Sequence, residues 1–132
     1  MSETCPTRLD YDTEKYWRGS SEQQLIIARC NECEHWIHPP RSCCPACWSD
    51  NIGHQQASGR ATLYSFTIQP GKPSQPPLIM GWAELEEQER LIIVGPLLNA
   101  SPDTVRIGTK LQLQWFQYKN TFVPAFNQEP EA

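Results

Sequence analysis

The stretch Cys30-Asn-Glu-Cys33, followed ten residues later by Cys44-Pro-Ala-Cys47, is the most informative part of this sequence. Each CxxC pair presents two sulfur atoms from one tight turn, and two facing turns complete a tetrahedron of thiolates around Zn²⁺. A redox-active CxxC instead opens a helix in a βαβ unit, and neither pair lies in such a unit. We therefore predict that the four cysteines of the two pairs hold a structural zinc ion in a small zinc ribbon.

Neighbouring side chains leave alternatives open at this site. Because spacing alone does not separate a zinc ribbon from an iron-containing rubredoxin, iron is the alternative metal. His35 and His38 lie between the pairs and offer alternative ligands, but four well-spaced cysteines suffice, so we expect both histidines to be solvated. Only Cys44 has a two-residue gap to Cys47, so Cys43 is predicted to be a spare thiol.

The residue after each CxxC pair departs from the common ribbon pattern. Glycine often stands there because it tolerates a positive φ angle. This sequence has Glu34 and Trp48 at the two positions instead. We therefore expect turns that are strained or differently shaped.

The first ten residues are polar and lack the apolar core of a secretory signal, and no stretch is long and apolar enough to span a membrane. We therefore expect a cytoplasmic protein without membrane contact. Thiols stay reduced in that compartment, which favours metal binding over disulfides for the paired cysteines. Cys5 receives no role in this prediction.

Length and charge restrict the function. The chain has 132 residues, enough for a small metal module joined to one compact barrel. Its formal net charge is −4. Proteins that bind nucleic acid through its phosphates depend on clustered Lys and Arg. The negative net charge therefore excludes nucleic-acid binding by a generally basic surface.

The order of patterns along the chain divides it into four segments. Residues 8–19 predict a short amphipathic helix that ends at Gly19 and buries its aromatic face against the rest of the chain or against a partner. Residues 24–29 predict a strand that leads into the first CxxC pair. The predicted segments are the helix in residues 1–22, a rubredoxin-like zinc ribbon in 23–58, a barrel in 59–127 and a disordered tail in 128–132.

From Gly59 onward, apolar residues alternate with a period of two, which is typical of half-buried strands. Five short strands without a βαβ rhythm indicate a small Greek-key barrel, with a five-stranded OB fold as the leading candidate. The predicted fold class is therefore mainly β. The predicted strands are 59–68, 78–85, 90–94, 110–115 and 121–126. The aromatic residues expected either in the barrel core or on a protein-contact face are Tyr64, Phe66, Trp82, Trp115 and Phe116.

The sequence contains no recognisable catalytic constellation. Its three histidines, His35, His38 and His54, lie in or just after the predicted ribbon, and it has no nucleophile elbow, phosphate-binding glycine loop or HExxH motif. The proline-rich loop 69–77 is either a stiff surface turn or a contact element for a ligand or partner. These features predict a binding or assembly module that is not an enzyme on its own.

The order of motifs resembles the acyl-CoA-associated family that combines a rubredoxin-like zinc ribbon with an OB fold, formerly described as predicted nucleic-acid-binding. The resemblance covers nearly the whole chain, but Ala61 stands where that family often has glycine. The motifs that carry it are Tyr16-Trp17, Leu25…Arg29-Cys30-x-x-Cys33, Pro39-Pro40-Arg41…Cys44-Pro45-x-Cys47, Ser58-Gly59-Arg60…Tyr64-Ser65-Phe66-Thr67, Ile107-Gly108 and Val123-Pro124-x-Phe126.

The resemblance implies a non-catalytic accessory subunit that docks on a thiolase-superfamily enzyme and helps to form or close its acyl-CoA site. A thiolase-like partner would then supply the nucleophilic cysteine and histidines, and a CoA thioester would be a shared ligand. Within this hypothesis, Arg60, Lys72 and Arg106 are candidate contacts for the CoA phosphates.

Three other functions remain open on the sequence alone. A single-stranded nucleic-acid module predicts salt-sensitive binding, although the acidic balance makes nucleic acid an unfavourable partner. A rubredoxin-like electron carrier predicts a red, iron-loaded protein. A stand-alone acyl-CoA hydrolase predicts CoA release by the isolated chain.

Overall fold

The computed structural model describes residues 14–118 and 121–128. Within these residues the chain is mainly β, which confirms the predicted fold class. No helix among them is long and apolar enough to cross a membrane. The elements are α1 (Glu14–Ser21), β1 (Ile26–Cys30), β2 (Trp36–Ile37), β3 (Ile52–Gln56), β4 (Arg60–Gln69), β5 (Leu78–Leu85), β6 (Ile92–Pro96), β7 (Lys110–Tyr118) and β8 (Thr121–Gln128).

The chain divides into two compact units. The first ends at Ser58 and also includes Gln117–Val123, whereas the second comprises Gly59–Phe116 and the segment from Pro124 onward. A three-stranded sheet of order β2-β1-β3 belongs to the first unit. A five-stranded sheet of order β6-β5-β4-β7-β8 is built mostly from the second.

Strand β1 is the centre of the three-stranded sheet. It pairs antiparallel with β2, where Ala28 lies opposite Ile37, and with β3, where Cys30 lies opposite Ile52. Because β1 ends at Cys30, the first CxxC pair begins where the strand stops. The small core of this sheet therefore includes two of the cysteines, and its buried members are Ala28, Cys30, Ile37 and Cys44.

Helix α1 packs against β1, and its end differs from the prediction. The beginning of the predicted helix lies outside the described residues, and the prediction that Gly19 ends it is wrong because α1 continues to Ser21. The chain turns at Gln23, whose φ is 59°, and the N–H of Gln24 donates to the carbonyl of Gly19. Gly19 serves close packing instead, since a Cβ there would lie 2.5 Å from Cγ1 of Ile26.

The five-stranded sheet curls into a nearly closed barrel. Its two outer strands meet in a parallel bridge between Leu97 and Phe126, and the N–H of Leu98 donates to the carbonyl of Phe126. A Cβ at Gly95 would lie 2.5 Å from the carbonyl oxygen of Pro124, so this close approach requires glycine. The result is consistent with the predicted OB fold. The buried side chains of the barrel include Leu63, Ile79, Leu85, Leu91, Ile93, Leu97, Leu111 and Phe126.

None of the five aromatic residues named from the sequence belongs to the fully buried core of the barrel, and a β-bulge explains this for Tyr64. The pairing of β4 with β5 shifts between Leu63 and Ser65, so Tyr64 is an extra residue that interrupts the alternation. Leu63 is buried, whereas Tyr64 and Phe116 are each 42% exposed. The other three aromatic residues named from the sequence, Phe66, Trp82 and Trp115, are half-buried. The alternative of a protein-contact face remains.

Each predicted strand except β5 differs from the observed strand at one end or both, and the differences at β6 and β8 have a visible cause. Strand β6 begins at Ile92 instead of residue 90, because Arg90 has a φ of 65° and still belongs to the turn. Strand β8 continues to Gln128, where the disordered tail was expected to begin. The N–H of Gln128 donates to Oδ1 of Asn99 at 2.7 Å, which extends the strand. Residues 129–132 lie outside the described part of the chain.

Candidate metal centre

The structure brings the sulfur atoms of Cys30, Cys33, Cys44 and Cys47 within 4.8 Å of one another. Sγ of Cys30 lies 3.6 Å from Sγ of Cys47, and the remaining two sulfur atoms are also 3.6 Å apart. Two of these cysteines, Cys30 and Cys44, are buried, and the other two are exposed. All four sulfur atoms can therefore reach one ion, as the CxxC spacing predicts.

Both CxxC pairs adopt the same turn. In the first, the N–H of Glu34 donates to the carbonyl of Cys30 at 3.0 Å, and in the second, the N–H of Trp48 donates to the carbonyl of Cys44 at 2.8 Å. Glu34 and Trp48 each have a φ of 67°. Both turns therefore keep the left-handed backbone conformation that glycine usually provides. Residues other than glycine rarely adopt this conformation, so the expected strain is present.

Backbone N–H groups point at the sulfur atoms. The N–H groups of Cys33 and Glu32 lie 3.5 and 3.4 Å from Sγ of Cys30, and the hydrogen bond from Cys33 lowers the pKa of Cys30 to about 7. The N–H of Ser49 favours the thiolate of Cys47, but the Cys33 sulfur and desolvation raise the pKa of Cys47 to about 12. Four sulfurs this close need a divalent cation to ionise together.

These residues fit Zn²⁺. Four thiols gathered at one point, with N–H groups directed at sulfur, form the donor set of a closed structural zinc site. When bound, the ion would stabilise the ribbon and would have no open position for a substrate. Neither His35 nor His38 belongs to the cysteine group, and Cys43 is exposed outside it. Cys5 lies outside the described residues.

His38 is not solvated as predicted; it lies largely buried beside α1. Its ring centroid is 5.3 Å from that of Tyr16, and its Nδ1 has no hydrogen-bond partner among the described residues. Burial lowers the pKa of His38 and raises the pKa of Tyr16 to about 12. His38 therefore packs as a neutral ring and joins the helix to the ribbon.

We expect the first unit to lose stability as the pH falls through about 6.5, where the unfolded chain begins to protonate His38. The folded-state pKa is lowered, so this contribution is complete above that pH and declines below it. His38→Gln should show a smaller fall in melting temperature between about pH 8 and pH 5.5. His35→Gln, at another histidine of the ribbon, is the control. Parallel melting curves for His38→Gln and wild type would refute the assignment.

The structure does not gather the three candidate CoA contacts at one place. Arg60 begins β4 and Lys72 lies beyond its other end, roughly 30 Å away at the rise of an extended strand. The guanidinium of Arg60 is 2.5 Å from the carboxylate of Glu86. Nη1 of Arg106 donates to the carbonyls of Asp103 and Val105 within its own turn.

Two family models match consecutive parts of the chain. Residues 17–53 match the rubredoxin-like zinc ribbon domain of ChsH2, and residues 54–116 match the C-terminal OB-fold domain of ChsH2. Together they span the cysteine cluster and most of the barrel. This agreement supports zinc as the metal of the ribbon.

Two relatives match most of the chain. The chain is 30% identical over 112 residues to a probable enoyl-CoA hydratase alpha subunit of Thermomonospora curvata, covering 83% of this chain and 34% of that protein. It is 28% identical over 103 residues to a DUF35 domain-containing scaffold protein of Pyrococcus furiosus, covering 75% of this chain and 74% of that protein. The chain thus spans about a third of the length of the hydratase subunit.

A solved structure agrees with these sequence matches. A chain of the Ltp2-ChsH2(DUF35) aldolase superposes with a TM-score of 0.82 at 27% identity, covering 92% of this chain and 98% of that chain. Sequence models, relatives and structure all point to the same pairing of ribbon and barrel. The chain therefore belongs to the DUF35 family and joins a ChsH2-type rubredoxin-like zinc ribbon to a ChsH2-type C-terminal OB-fold domain.

Proposed function

We propose that this chain is a non-catalytic accessory subunit of a thiolase-like enzyme that acts on an acyl-CoA. The observation that carries the proposal is the likeness to a chain of the Ltp2-ChsH2(DUF35) aldolase, which extends over 98% of that chain. The names of the two relatives, an alpha subunit and a scaffold protein, also denote parts of larger assemblies.

The chemistry of the described residues supports an assembly role. Their clustered cysteines would all be ligands of one metal ion, and as ligands these thiols would be unavailable as nucleophiles. His38 is half-buried against Tyr16, and His54 is exposed on β3. No nucleophile, base and orienting group come together in this part of the chain, so the partner would perform the reaction.

For the acyl-CoA itself, Lys72 is the best placed of the three candidate cations. It lies in the exposed loop between β4 and β5, whereas Arg60 pairs with Glu86 and Arg106 hydrogen-bonds within its own turn. The loop is held by a turn in which the N–H of Gln75 donates to the carbonyl of Lys72. A cation on a preordered loop suits a phosphate group because little entropy is lost on binding.

Lys72→Ala should raise KM of the assembled enzyme for its acyl-CoA about tenfold, the effect of one charge-assisted hydrogen bond. kcat should stay nearly constant, since the change removes binding that is the same in the ground and transition states. Steady-state kinetics of the purified complex measures both constants. Lys110→Ala, at an exposed lysine of β7, is the matched control. An unchanged KM in Lys72→Ala would remove Lys72 from the acyl-CoA site.

The proposal as a whole is tested by purifying the tagged chain from its native host at moderate salt. A thiolase-fold protein in stoichiometric amount, with one zinc per chain, is the expected result. Mass spectrometry and metal analysis identify the two components. Recovery of nucleic acid that dissociates at higher salt, or CoA release by the chain alone, would overturn the accessory role.

A further inference from the structure

The outer surface of β5 and β6 is apolar. Along β5, buried and less buried residues alternate, and Ile79, Ala83 and Leu85 point into the barrel. The same alternation in β6 buries Ile93 and leaves Val94 outside. We call the outward apolar side chains of the two strands the β5–β6 face, and they are Leu78, Met80, Trp82, Ile92, Val94 and Pro96.

The strand register makes this face continuous. Met80 lies opposite Pro96 and Trp82 lies opposite Val94, so the side chains of each pair stand next to each other. Leu78 is 46% exposed and Val94 is 45% exposed, which shows that nothing in the described chain covers them fully. Trp82 is half-buried, lies opposite Val94 and adds a large aromatic side chain with an indole N–H. Continuous exposed apolar surface of this kind is typical of binding sites.

A stiff hairpin end extends the β5–β6 face. Every residue from Thr67 to Leu78 is exposed. Pro73 occupies the second position of the turn closed by Gln75, and a Cβ at Gly71 would collide with the carbonyl oxygen of Gln75. The hairpin end is thus ordered before any contact, which lowers the entropy lost when a partner binds.

The opposite end of the β5–β6 face is acidic. Four carboxylates, Glu84, Glu86, Glu87 and Glu89, stand in or beside the turn between the strands. Nearby cations are engaged: Arg60 pairs with Glu86, and Arg90 places its guanidinium 6.0 Å from the ring centroid of Tyr64. The net charge of this end stays negative, so an occupant with basic groups at this edge is complementary.

We infer that the β5–β6 face is the surface on which the thiolase-like partner docks, with Trp82 as the central anchor and basic partner residues beside the acidic turn. The inference rests on the proposed function and names the docking surface within it. A second copy of this acidic chain would carry the same carboxylates, so the charge favours a different protein.

The test uses the purified thiolase-fold partner identified from the native host and measures its affinity for zinc-loaded variants of this chain. Val94→Glu and Leu78→Glu place a charge where both side chains are exposed, so the fold tolerates them. Each should weaken binding at least about tenfold, because the new carboxylate would be buried unpaired in the interface. Ile107→Glu, at a position 67% exposed outside the face, is the matched control and should bind like wild type.

A second measurement tests the charge. Glu89→Lys should slow association about threefold or more at low salt, and the difference should disappear at high salt. Val94→Glu with wild-type affinity would overturn the inference even if the partner itself is confirmed. A wild-type chain that binds no thiolase-fold protein would instead refute the proposed function. Self-association that Val94→Glu abolishes would assign the face to a second copy and overturn the choice of partner.

Discussion

Cys30→Ser is expected to unfold the ribbon. Cys30 is fully buried, and it belongs both to the cysteine cluster and to the small core of the three-stranded sheet. That core is too small to be stable by burial alone, so the metal must supply most of the folding free energy. Apparent binding free energies of structural zinc reach about 10–16 kcal/mol, and the loss of one thiolate removes a large share.

Cys43→Ser is the matched control, because Cys43 is an exposed thiol adjacent to Cys44 and outside the cluster. Metal analysis should find about one zinc per chain in wild type and in Cys43→Ser, and little in Cys30→Ser. Circular dichroism measures whether each variant is folded, and coelution with the thiolase-like partner measures whether it assembles. A Cys30→Ser protein that keeps its zinc and its partner at full activity would refute the role given to the ribbon.

Phe126→Ala is expected to destabilise the barrel by about 3–5 kcal/mol, the range for removing a buried aromatic side chain. Phe126 is fully buried, and its backbone makes the bridge to Leu97 that closes the sheet. The truncation leaves a cavity where the two outer strands meet. A loss of this size is a large fraction of the stability of an ordinary domain.

Urea unfolding followed by tryptophan fluorescence measures this effect, and Phe116→Ala is the matched control. Phe116 lies in β7 with 42% of its surface exposed, so its truncation should change the free energy of unfolding by well under half as much. Equal losses in the two variants would mean that Phe126 does not close the barrel core.

The sequence predicted those features that depend on local spacing. Each CxxC turn is short, so its two sulfur atoms lie close together. The second CxxC turn then has only to face the first for all four sulfur atoms to meet. Strand β5 was predicted with its observed limits, since a mostly apolar run ends where the acidic turn begins at Glu86. The zinc ribbon followed from the CxxC spacing, and the OB fold followed from five short strands without a βαβ rhythm.

Other features depend on contacts that the sequence does not display. Strand β2 contains only Trp36 and Ile37, too few for a periodic pattern. Strand β3 is mostly polar and exists because β1 pairs with it along its length. The bulge at Tyr64 changes which residues of β4 face inward, so the sequence alone could not separate the barrel core from a protein-contact face for these aromatic residues. The exposed β5–β6 face became recognisable only when the register of the two strands was known.

The turns that Glu34 and Trp48 complete have a consequence for metal exchange. Each residue adopts the left-handed conformation at roughly 1–2 kcal/mol, a penalty present in the folded, metal-bound chain and absent from the unfolded one. Because metal binding is coupled to folding, this penalty weakens the apparent affinity for the metal. A glycine would avoid the penalty but would lose more conformational entropy on folding, and this loss offsets only part of the difference. We therefore expect this ribbon to hold Zn²⁺ less tightly than a ribbon with glycine in both turns, and to equilibrate with chelators at higher concentrations of free zinc.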